Sequence, residues 1–217
     1  MLISKNSKLL LIGDSITDYE RARPVGEGLF GAIGKGYAGL VSGLLQATYP
    51  EKRIRVVNMG TSGNTVRDLK ARWDTDVLAL NPDWLSIMIG INDVWRQFDS
   101  PLLTEMHVGI EEYAGTLEEL IKLTLPRLKG MVLMTPFYIE LNTTDAMRLK
   151  MDAYGNVVRE LASKYKTVFV DTQAAFNAVL KYYHSAFFAW DRVHPNVEGN
   201  MVLARAFLNA IGYEWKP

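Results

Sequence analysis

Short apolar runs alternate along this chain with longer segments in which apolar residues recur at helical spacing. The apolar runs predict five β-strands, at residues 9–12, 54–57, 84–89, 131–134 and 167–170. The helical pattern covers residues 37–47, 65–80, 104–128 with an interruption at Pro126, 146–164, a segment starting at 172, and 196 or 197 to 211. Continuously apolar strands separated by helices are typical of a parallel sheet covered on both faces. The pattern therefore predicts an α/β fold, a three-layer α/β/α sandwich around a five-stranded parallel sheet.

Length and charge narrow the class of protein. The chain has 217 residues, which fits a single domain spanning 1–217 with one sizeable core. It contains 24 basic and 24 acidic residues, so nothing in its charge indicates binding to nucleic acid or to an anionic membrane. No run approaches the ~20 apolar residues of a membrane-spanning helix, and residues 1–8 do not resemble a signal peptide. We expect a cytoplasmic protein that binds neither nucleic acid nor membrane.

Cofactor and metal motifs are missing from the sequence. Cysteine is absent, and the three histidines, His107, His184 and His194, are scattered, so we expect no metal site. Residues 26–31 match G-x-G-x-x-G, but they follow Arg-Pro-Val rather than a strand, which argues against a dinucleotide site. The glycine-rich residues 19–36 predict instead a long functional loop or a contact surface between subunits.

Reactive residues follow three of the predicted strands and precede the last helix. Residues 13–15 (Gly-Asp-Ser) follow the first strand, residues 58–64 the second, and residues 90–93 (Gly-Ile-Asn-Asp) the third. Asp191 and His194 lie just before the last helix. The carboxyl ends of parallel strands share one edge of the sheet, where open α/β folds bind ligands. We therefore expect these side chains to meet there.

These residue types fit a serine-based acyl transfer. The hydroxyl of Ser15 needs a base to remove its proton, and His194 has a side chain that titrates near neutral pH. Asp191, three residues earlier, can orient that imidazole and stabilise its protonated form. The backbone N–H groups of Ser15 and Gly63 and the side-chain amide of Asn92 are candidate donors to the oxyanion that forms.

Each of these residues also has a simpler interpretation, which the sequence leaves open. Ser15 has the setting of a helix-capping or turn residue, and Asp14 has that of a carboxylate holding the turn around it. Asn92 fits as a cap for the segment that follows it. Asp191 and His194 fit as capping and surface residues at the last helix.

Taken together, the four segments resemble the four sequence blocks of the SGNH (GDSL) hydrolases, in the same order along the chain. That family is named after a Ser, a Gly, an Asn and a His, which match Ser15, Gly63, Asn92 and His194 here. The resemblance implies a flavodoxin-like SGNH hydrolase fold. It also implies hydrolysis of carboxylic esters without a metal or an organic cofactor.

Longer segments resemble bacterial intracellular acetylxylan esterases within that family. They are residues 21–24, 62–73, 86–97, 134–140 and 189–195. The resemblance implies a serine carboxylesterase that removes acetyl groups from acetylated xylo-oligosaccharides through an acetyl-enzyme intermediate. It also implies a homo-oligomer, for which the glycine-rich loop and the aromatic stretch 182–190 are candidate contact surfaces.

The sequence also offers candidates for substrate contacts and for alternative functions. Trp95 and Trp190 are candidates to face a sugar ring, with core packing as the alternative, and Asp14 is a further candidate for substrate binding. The main rival function is an esterase, lipase or deacetylase acting on another small acyl ester. A metal-dependent phosphohydrolase would use Asp14, Asp18 and Asp93, and a carbohydrate-binding module without turnover would use the two tryptophans.

Overall fold

The computed structural model describes residues 1–215 and contains one five-stranded sheet. Its strands are β1 (Lys8–Gly13), β2 (Arg55–Asn58), β3 (Trp84–Met88), β4 (Gly130–Met134) and β5 (Val168–Val170). They are ordered β2-β1-β3-β4-β5, and every neighbouring pair is parallel. The predicted five-stranded parallel sheet is confirmed. Residues 216 and 217, which the single-domain prediction includes, lie outside the described residues.

The sheet is covered by helices on both faces. The helices are α1 (Ser15–Asp18), α2 (Tyr37–Thr48), α3 (Val66–Ala71), α4 (Ile91–Asp99), α5 (Ile110–Thr124), α6 (Ala146–Tyr165), α7 (Thr172–Leu180) and α8 (Val197–Ala210). Helix α8 packs against α2 and α7, whereas α5 and α6 pack against each other and against α3 and α4. These two groups form the outer layers of the predicted sandwich. No helix within residues 1–215 is long and apolar enough to cross a membrane.

Burial on both faces explains why the first strand is apolar throughout. Leu9, Leu10, Leu11 and Ile12 point alternately to the two helical layers, and each is 0% exposed. Fully burying one such side chain contributes about 1.5–3 kcal/mol, so β1 is among the main sources of stability.

Three helical segments differ from the predicted ones. Helix α4 lies where a turn was predicted after the third strand, although its apolar residues 91, 94, 95 and 98 recur at helical spacing. The segment predicted at 65–80 changes after α3 into a π-helical turn, Asp74–Leu78. The segment predicted from 104 begins as α5 only after Gly109, whose extended backbone precedes the helix.

The strand order places three reactive turns side by side. Strand β1 lies between β2 and β3, with Leu11 paired with Asn58 and Gly13 paired with Met88. The chain leaves β1 towards β2 on one side and later returns to β3 on the other. This reversal of direction is where open α/β sheets form a crevice at their carboxyl edge. The turns after β1, β2 and β3 therefore line one crevice.

Gly60, just beyond β2, offers a test of how closely these turns pack. A Cβ atom at this position would lie 2.2 Å from the backbone nitrogen of Asp18. We expect Gly60→Ala to lower the free energy of unfolding by about 3 kcal/mol, because backbone must move to relieve the overlap. Urea denaturation measures this change.

Gly43 supplies the matched control for that measurement. It lies within α2, is exposed, and has no atom within 4 Å of an added Cβ. Gly43→Ala should stabilise the protein by about 0.5–1 kcal/mol, because alanine favours helix. Equal effects at the two glycines would contradict the close packing of Gly60.

Candidate active site

The turn after β1 exposes the Ser15 hydroxyl at the carboxyl edge of the sheet. Ser15 is the first residue of α1, a single helical turn. Asp14 caps this turn, because its Oδ1 atom accepts a hydrogen bond of 3.0 Å from the Ile16 N–H. The cap fixes the turn and leaves the Ser15 side chain free to point into the crevice.

Ser15 is the first member of a chain of hydrogen bonds. Its Oγ atom lies 2.8 Å from Nε2 of His194, and Nδ1 of His194 lies 2.6 Å from Oδ2 of Asp191. An ionised carboxylate only accepts hydrogen bonds, so Nδ1 carries the proton and Nε2 is free to accept from the serine hydroxyl. This tautomer is the one that a general base for serine requires.

Asp191 is held in its ionised form by several donors. Its Oδ1 atom accepts hydrogen bonds from the backbone N–H groups of Val193 (2.9 Å) and His194 (2.8 Å). Partial burial acts to raise the pKa of Asp191. The hydrogen bonds from the His194 side chain and from the two backbone groups outweigh that effect and hold the pKa below its usual value.

The segment that carries His194 is fixed by its neighbours. The Pro195 carbonyl accepts a hydrogen bond from Nδ2 of Asn200 (2.7 Å) and another from the hydroxyl of Tyr19. Asn196 then caps α8 by accepting from the Gly199 N–H at 3.0 Å. The helix thus begins after the histidine, as the position of Pro195 predicts.

The three predicted oxyanion donors converge on the same crevice. Gly63 has φ of +81° and lies in the turn after β2. The backbone N–H groups of Ser15 and Gly63 donate to no protein acceptor within the described residues. Asn92 donates one amide hydrogen to the Asn64 carbonyl (2.9 Å), which orients the amide and leaves its second hydrogen available.

These groups open on a cavity of about 340 Å³. It is lined by Ser15, Tyr19, Glu20, Ser62, Gly63, Asn92, Trp95, Arg96 and His194. The ring centroid of Trp95 lies 5.8 Å from that of His194, so the indole forms one wall beside the imidazole. The arrangement suits acyl transfer, since nucleophile, base and oxyanion donors face one space.

Comparison with known proteins identifies the group to which this site belongs. The GDSL-like lipase/acylhydrolase family matches residues 11–202. The chain belongs to this family. The predicted resemblance to the SGNH (GDSL) hydrolases is therefore confirmed.

Relatives of known structure are similar over the whole chain. The acetylxylan esterase of Geobacillus stearothermophilus is 63% identical over 215 residues, covering 99% of this chain and 98% of that protein. Crystal structures of its catalytic mutants S15A, D191A and H194A are each 62% identical, with a TM-score of 0.99 over 100% of this chain and 99% of theirs. LAE5, an alpha/beta hydrolase enzyme from the metagenome of Lake Arreo in Spain, is 53% identical, with a TM-score of 0.98 over 100% of both chains.

The cavity is also lined by residues that were not predicted as site residues from the sequence. Tyr19, Glu20, Ser62 and Arg96 line it. Arg96 follows Asn92 by four residues on α4 and donates to its Oδ1 atom at 3.2 Å. Had the helix been recognised, this i,i+4 spacing would have pointed to Arg96.

Two predicted substrate contacts lie outside the cavity. Asp14 is 1% exposed and has its carboxylate in the cap of α1, so it contributes to the turn rather than to a substrate surface. Trp190 is 92% exposed and does not line the cavity. Trp95, the third candidate, does line the cavity.

Arg72 connects the turn after β1 with the turn after β2. Its guanidinium donates to the carbonyl of Gly13 (2.8 Å), the carbonyl of Met59 (2.7 Å) and the side-chain oxygen of Asn64 (2.6 Å). It also forms an ion pair with Asp76 at 2.7 Å. Arg72 therefore joins the carboxyl ends of β1 and β2 and the residue after Gly63.

Two buried carboxyls lie beneath the site without a cationic partner. Burial raises the pKa of Asp14 and that of Asp93 to about 7 each, although both accept a backbone hydrogen bond. Asp93 is 0% exposed, and its Oδ1 atom accepts from the Val66 N–H at 3.0 Å. Its Oδ2 atom is buried with no partner in residues 1–215. Both carboxyls therefore stay mainly protonated in the folded protein below about pH 7.

Asp93 generates a prediction about stability and pH. Its pKa of about 7 in the folded protein exceeds the ordinary 3.8, so the stability that it contributes is present below about pH 4 and is lost towards pH 7. Asp93→Asn removes this titration. The melting temperature of the variant relative to wild type should therefore rise between pH 4 and pH 8, by an amount on the order of 5 °C.

Differential scanning fluorimetry at one-unit pH steps measures both curves. Parallel curves for the variant and the wild type across this range would contradict a neutral Asp93 in the folded state.

Proposed function

We propose that this protein removes acetyl groups from acetylated xylo-oligosaccharides as a serine esterase. The observation that carries the proposal is the hydrogen-bonded chain Ser15–His194–Asp191, which opens on a cavity with three oxyanion donors. The 63% identity to an acetylxylan esterase over 99% of the chain supports acetylated xylan fragments as the substrate class. The proposal uses no metal and no organic cofactor.

Acylation begins with the Ser15 hydroxyl. Its Oγ atom attacks the acetyl carbonyl carbon while its proton passes to Nε2 of His194, 2.8 Å away. The carbonyl oxygen becomes an oxyanion that accepts from the N–H groups of Ser15 and Gly63 and from the Asn92 amide. The tetrahedral intermediate then expels the sugar oxygen, which takes the proton from His194. The products are acetyl-Ser15 and the free sugar hydroxyl.

Deacylation repeats these steps with water. His194 accepts a proton from the water molecule as its oxygen attacks the acetyl carbonyl, and the same three donors hold the second oxyanion. The intermediate releases acetate, and the proton on His194 returns to Oγ of Ser15. Asp191 stabilises the imidazolium in both steps without taking its proton.

Trp95 is the proposed wall for the bound ester. Its indole lies beside His194, where it excludes water from one side of the reacting carbonyl and offers an apolar face to a sugar ring. Arg96 and Glu20 place charged groups at the same cavity, where the Arg96 guanidinium can donate to sugar oxygens and the Glu20 carboxylate can accept from sugar hydroxyls. An ester of another small acyl group is the second candidate, because the catalytic groups themselves do not select the alcohol.

Acetate release from acetylated xylo-oligosaccharides tests the proposal. Wild type should release acetate with or without EDTA, and Ser15→Ala should lower kcat by a factor on the order of 10⁶ because no nucleophile remains. Ser163→Ala, which changes an exposed serine on α6, should match wild type.

Each alternative result has a defined meaning. Turnover by Ser15→Ala at the wild-type rate would overturn the serine mechanism. Loss of wild-type activity in EDTA with recovery on adding a divalent cation would favour a metal-dependent hydrolase. Cleavage of an aryl acetate or a longer acyl ester without acetate release from the sugar would keep the mechanism and overturn the substrate.

We also propose a homo-oligomer that works in the cytoplasm, as the resemblance to intracellular esterases implies. Tyr182 is 82% exposed and Trp190 is 92% exposed, and large exposed aromatic side chains are typical of protein contact surfaces. Light scattering should give a mass that is a multiple of the 24.4 kDa chain. A monomer mass, or recovery of the activity in the culture medium, would contradict the respective part of this proposal.

A further inference from the structure

Asp18 is a buried acid next to the active site that the proposed reaction does not use. It ends α1, three residues after Ser15, and is 3% exposed. Its Oδ2 atom accepts from the Ser62 N–H (3.1 Å), from the Ser62 hydroxyl (2.9 Å) and from the Arg23 guanidinium (2.6 Å). One carboxylate oxygen thus binds both the backbone and the side chain of Ser62.

Ser62 is bonded directly to the nitrogen that the oxyanion needs. The donor N–H of Gly63 belongs to the peptide group that Ser62 and Gly63 share. Fixing Ser62 at two of its atoms restricts the rotation of that peptide group. Gly63 itself has no Cβ, and its backbone could otherwise turn freely.

Other contacts hold this loop before Ser62 and after Gly63. The Thr61 N–H donates to the Gly13 carbonyl at 3.0 Å, and the Asn64 carbonyl accepts from the Asn92 amide at 2.9 Å. The Gly60 carbonyl accepts from Nε of Arg21 at 2.6 Å, and the Gly60 N–H donates to Oδ1 of Asn58 at 2.8 Å. Two peptide groups separate the Gly60 N–H, and one separates the Gly60 carbonyl, from the peptide group that contains the Gly63 nitrogen. Within residues 1–215, the hydrogen bonds of Ser62 itself are the two to Asp18, so Asp18 acts on the residue that shares a peptide group with Gly63.

We propose that Asp18 is a positioning residue for the oxyanion hole, which holds the Gly63 N–H in register with that of Ser15. This inference rests on the proposed function, since it assigns a role within the same reaction. Both donors are then fixed to one helical turn, because Ser15 begins α1 and Asp18 ends it. Donors that are oriented before the reaction stabilise the oxyanion without a cost in reorganisation.

Charge and burial argue that Asp18 is more than a stabilising contact. Its Oδ1 atom is buried without a partner in residues 1–215, which is unfavourable for folding alone. Such local costs are typical of functional sites. Burial acts to raise the pKa of Asp18, but the ion pair with Arg23 and the two hydrogen bonds from Ser62 hold the pKa below its usual value.

Arg23 neutralises the negative charge of Asp18 next to the oxyanion hole. An unpaired negative charge near the oxyanion would oppose its formation. The guanidinium of Arg23 lies 2.6 Å from Oδ2, so the pair adds little net charge next to the developing anion. Asp18 can thus supply a strong, charge-assisted acceptor to Ser62 without repelling the transition state.

The test compares binding of a transition-state mimic with binding of the substrate. Methylboronic acid accepts the Oγ lone pair of Ser15 at boron while the hydroxyl proton passes to His194, giving a tetrahedral anion in the oxyanion hole. Calorimetry measures its affinity without turnover, and 4-nitrophenyl acetate hydrolysis gives kcat and KM. Asp18→Ala should lower kcat and boronate affinity together by about 10²-fold, with KM changed less than about twofold.

Two further variants should show intermediate losses of kcat and boronate affinity. Ser62→Ala removes the hydroxyl contact but keeps the N–H contact, so we expect losses of about tenfold in both quantities. Asp18→Asn keeps an oxygen that can accept from Ser62, and it should recover most of the activity lost in Asp18→Ala.

Asp83→Ala is the matched control. Its carboxylate also binds one backbone N–H, that of Lys8 (2.8 Å), and one cation, Lys129 (2.8 Å), but at the amino edge of the sheet. Asp83→Ala should lower the melting temperature and leave kcat, KM and boronate affinity within about twofold of wild type.

The outcomes separate this inference from the proposed function. If Asp18→Ala folds and binds methylboronic acid as tightly as wild type, the positioning role is wrong even if Ser15→Ala is inactive. If Asp18→Ala does not fold, Ser62→Ala decides, and wild-type boronate affinity in that variant overturns the role. If the wild type binds the boronate but releases no acetate from the sugar, the substrate assignment fails and the role of Asp18 stands.

Discussion

The site depends on one cation that holds two strand ends together. The Arg72 guanidinium donates to carbonyls at the carboxyl ends of β1 and β2 and to the side chain of Asn64. Asp18 also joins the turn that carries Ser15 to the turn that carries Gly63, through Ser62, and Arg72 adds three contacts beneath that connection. A rigid connection matters here because the two backbone donors must face the same oxygen atom, and an error of 1 Å costs a large part of the rate.

Acidic residues around the site fall into two groups according to what neutralises them. Asp18 and Asp191 remain charged, because a guanidinium or an imidazole and several N–H groups bind them. Asp14 and Asp93 lie deeper and form no ion pair within residues 1–215, and burial raises the pKa of each to about 7. The separation keeps negative charge away from the oxyanion except where it is paired. It also lets four carboxyl groups surround one serine without strong mutual repulsion.

The sequence predicted the sheet well because buried parallel strands are apolar on both faces, as residues 9–12 are. It also predicted that Ser15, Asn92 and His194 would meet, since strand ends share an edge. Arg96 was missed because residues 90–93 were interpreted as a turn alone, although the apolar residues 91, 94, 95 and 98 recur at helical spacing. Trp190 shows a different difficulty, because adjacency to Asp191 in the sequence does not place a side chain at the cavity, and Trp190 does not line it.

Gly60 and Gly63 are three residues apart, and different physical constraints favour glycine at each position. At Gly60 the neighbouring backbone leaves no space for a side chain, so no residue with a Cβ fits. At Gly63 no atom lies within 4 Å of an added Cβ, and only the positive φ favours glycine. Asparagine and aspartate adopt that backbone region at modest cost. A side chain at position 63 is therefore limited by the backbone rather than by packing and would enter the cavity that Gly63 lines, whereas position 60 is closed by neighbouring backbone.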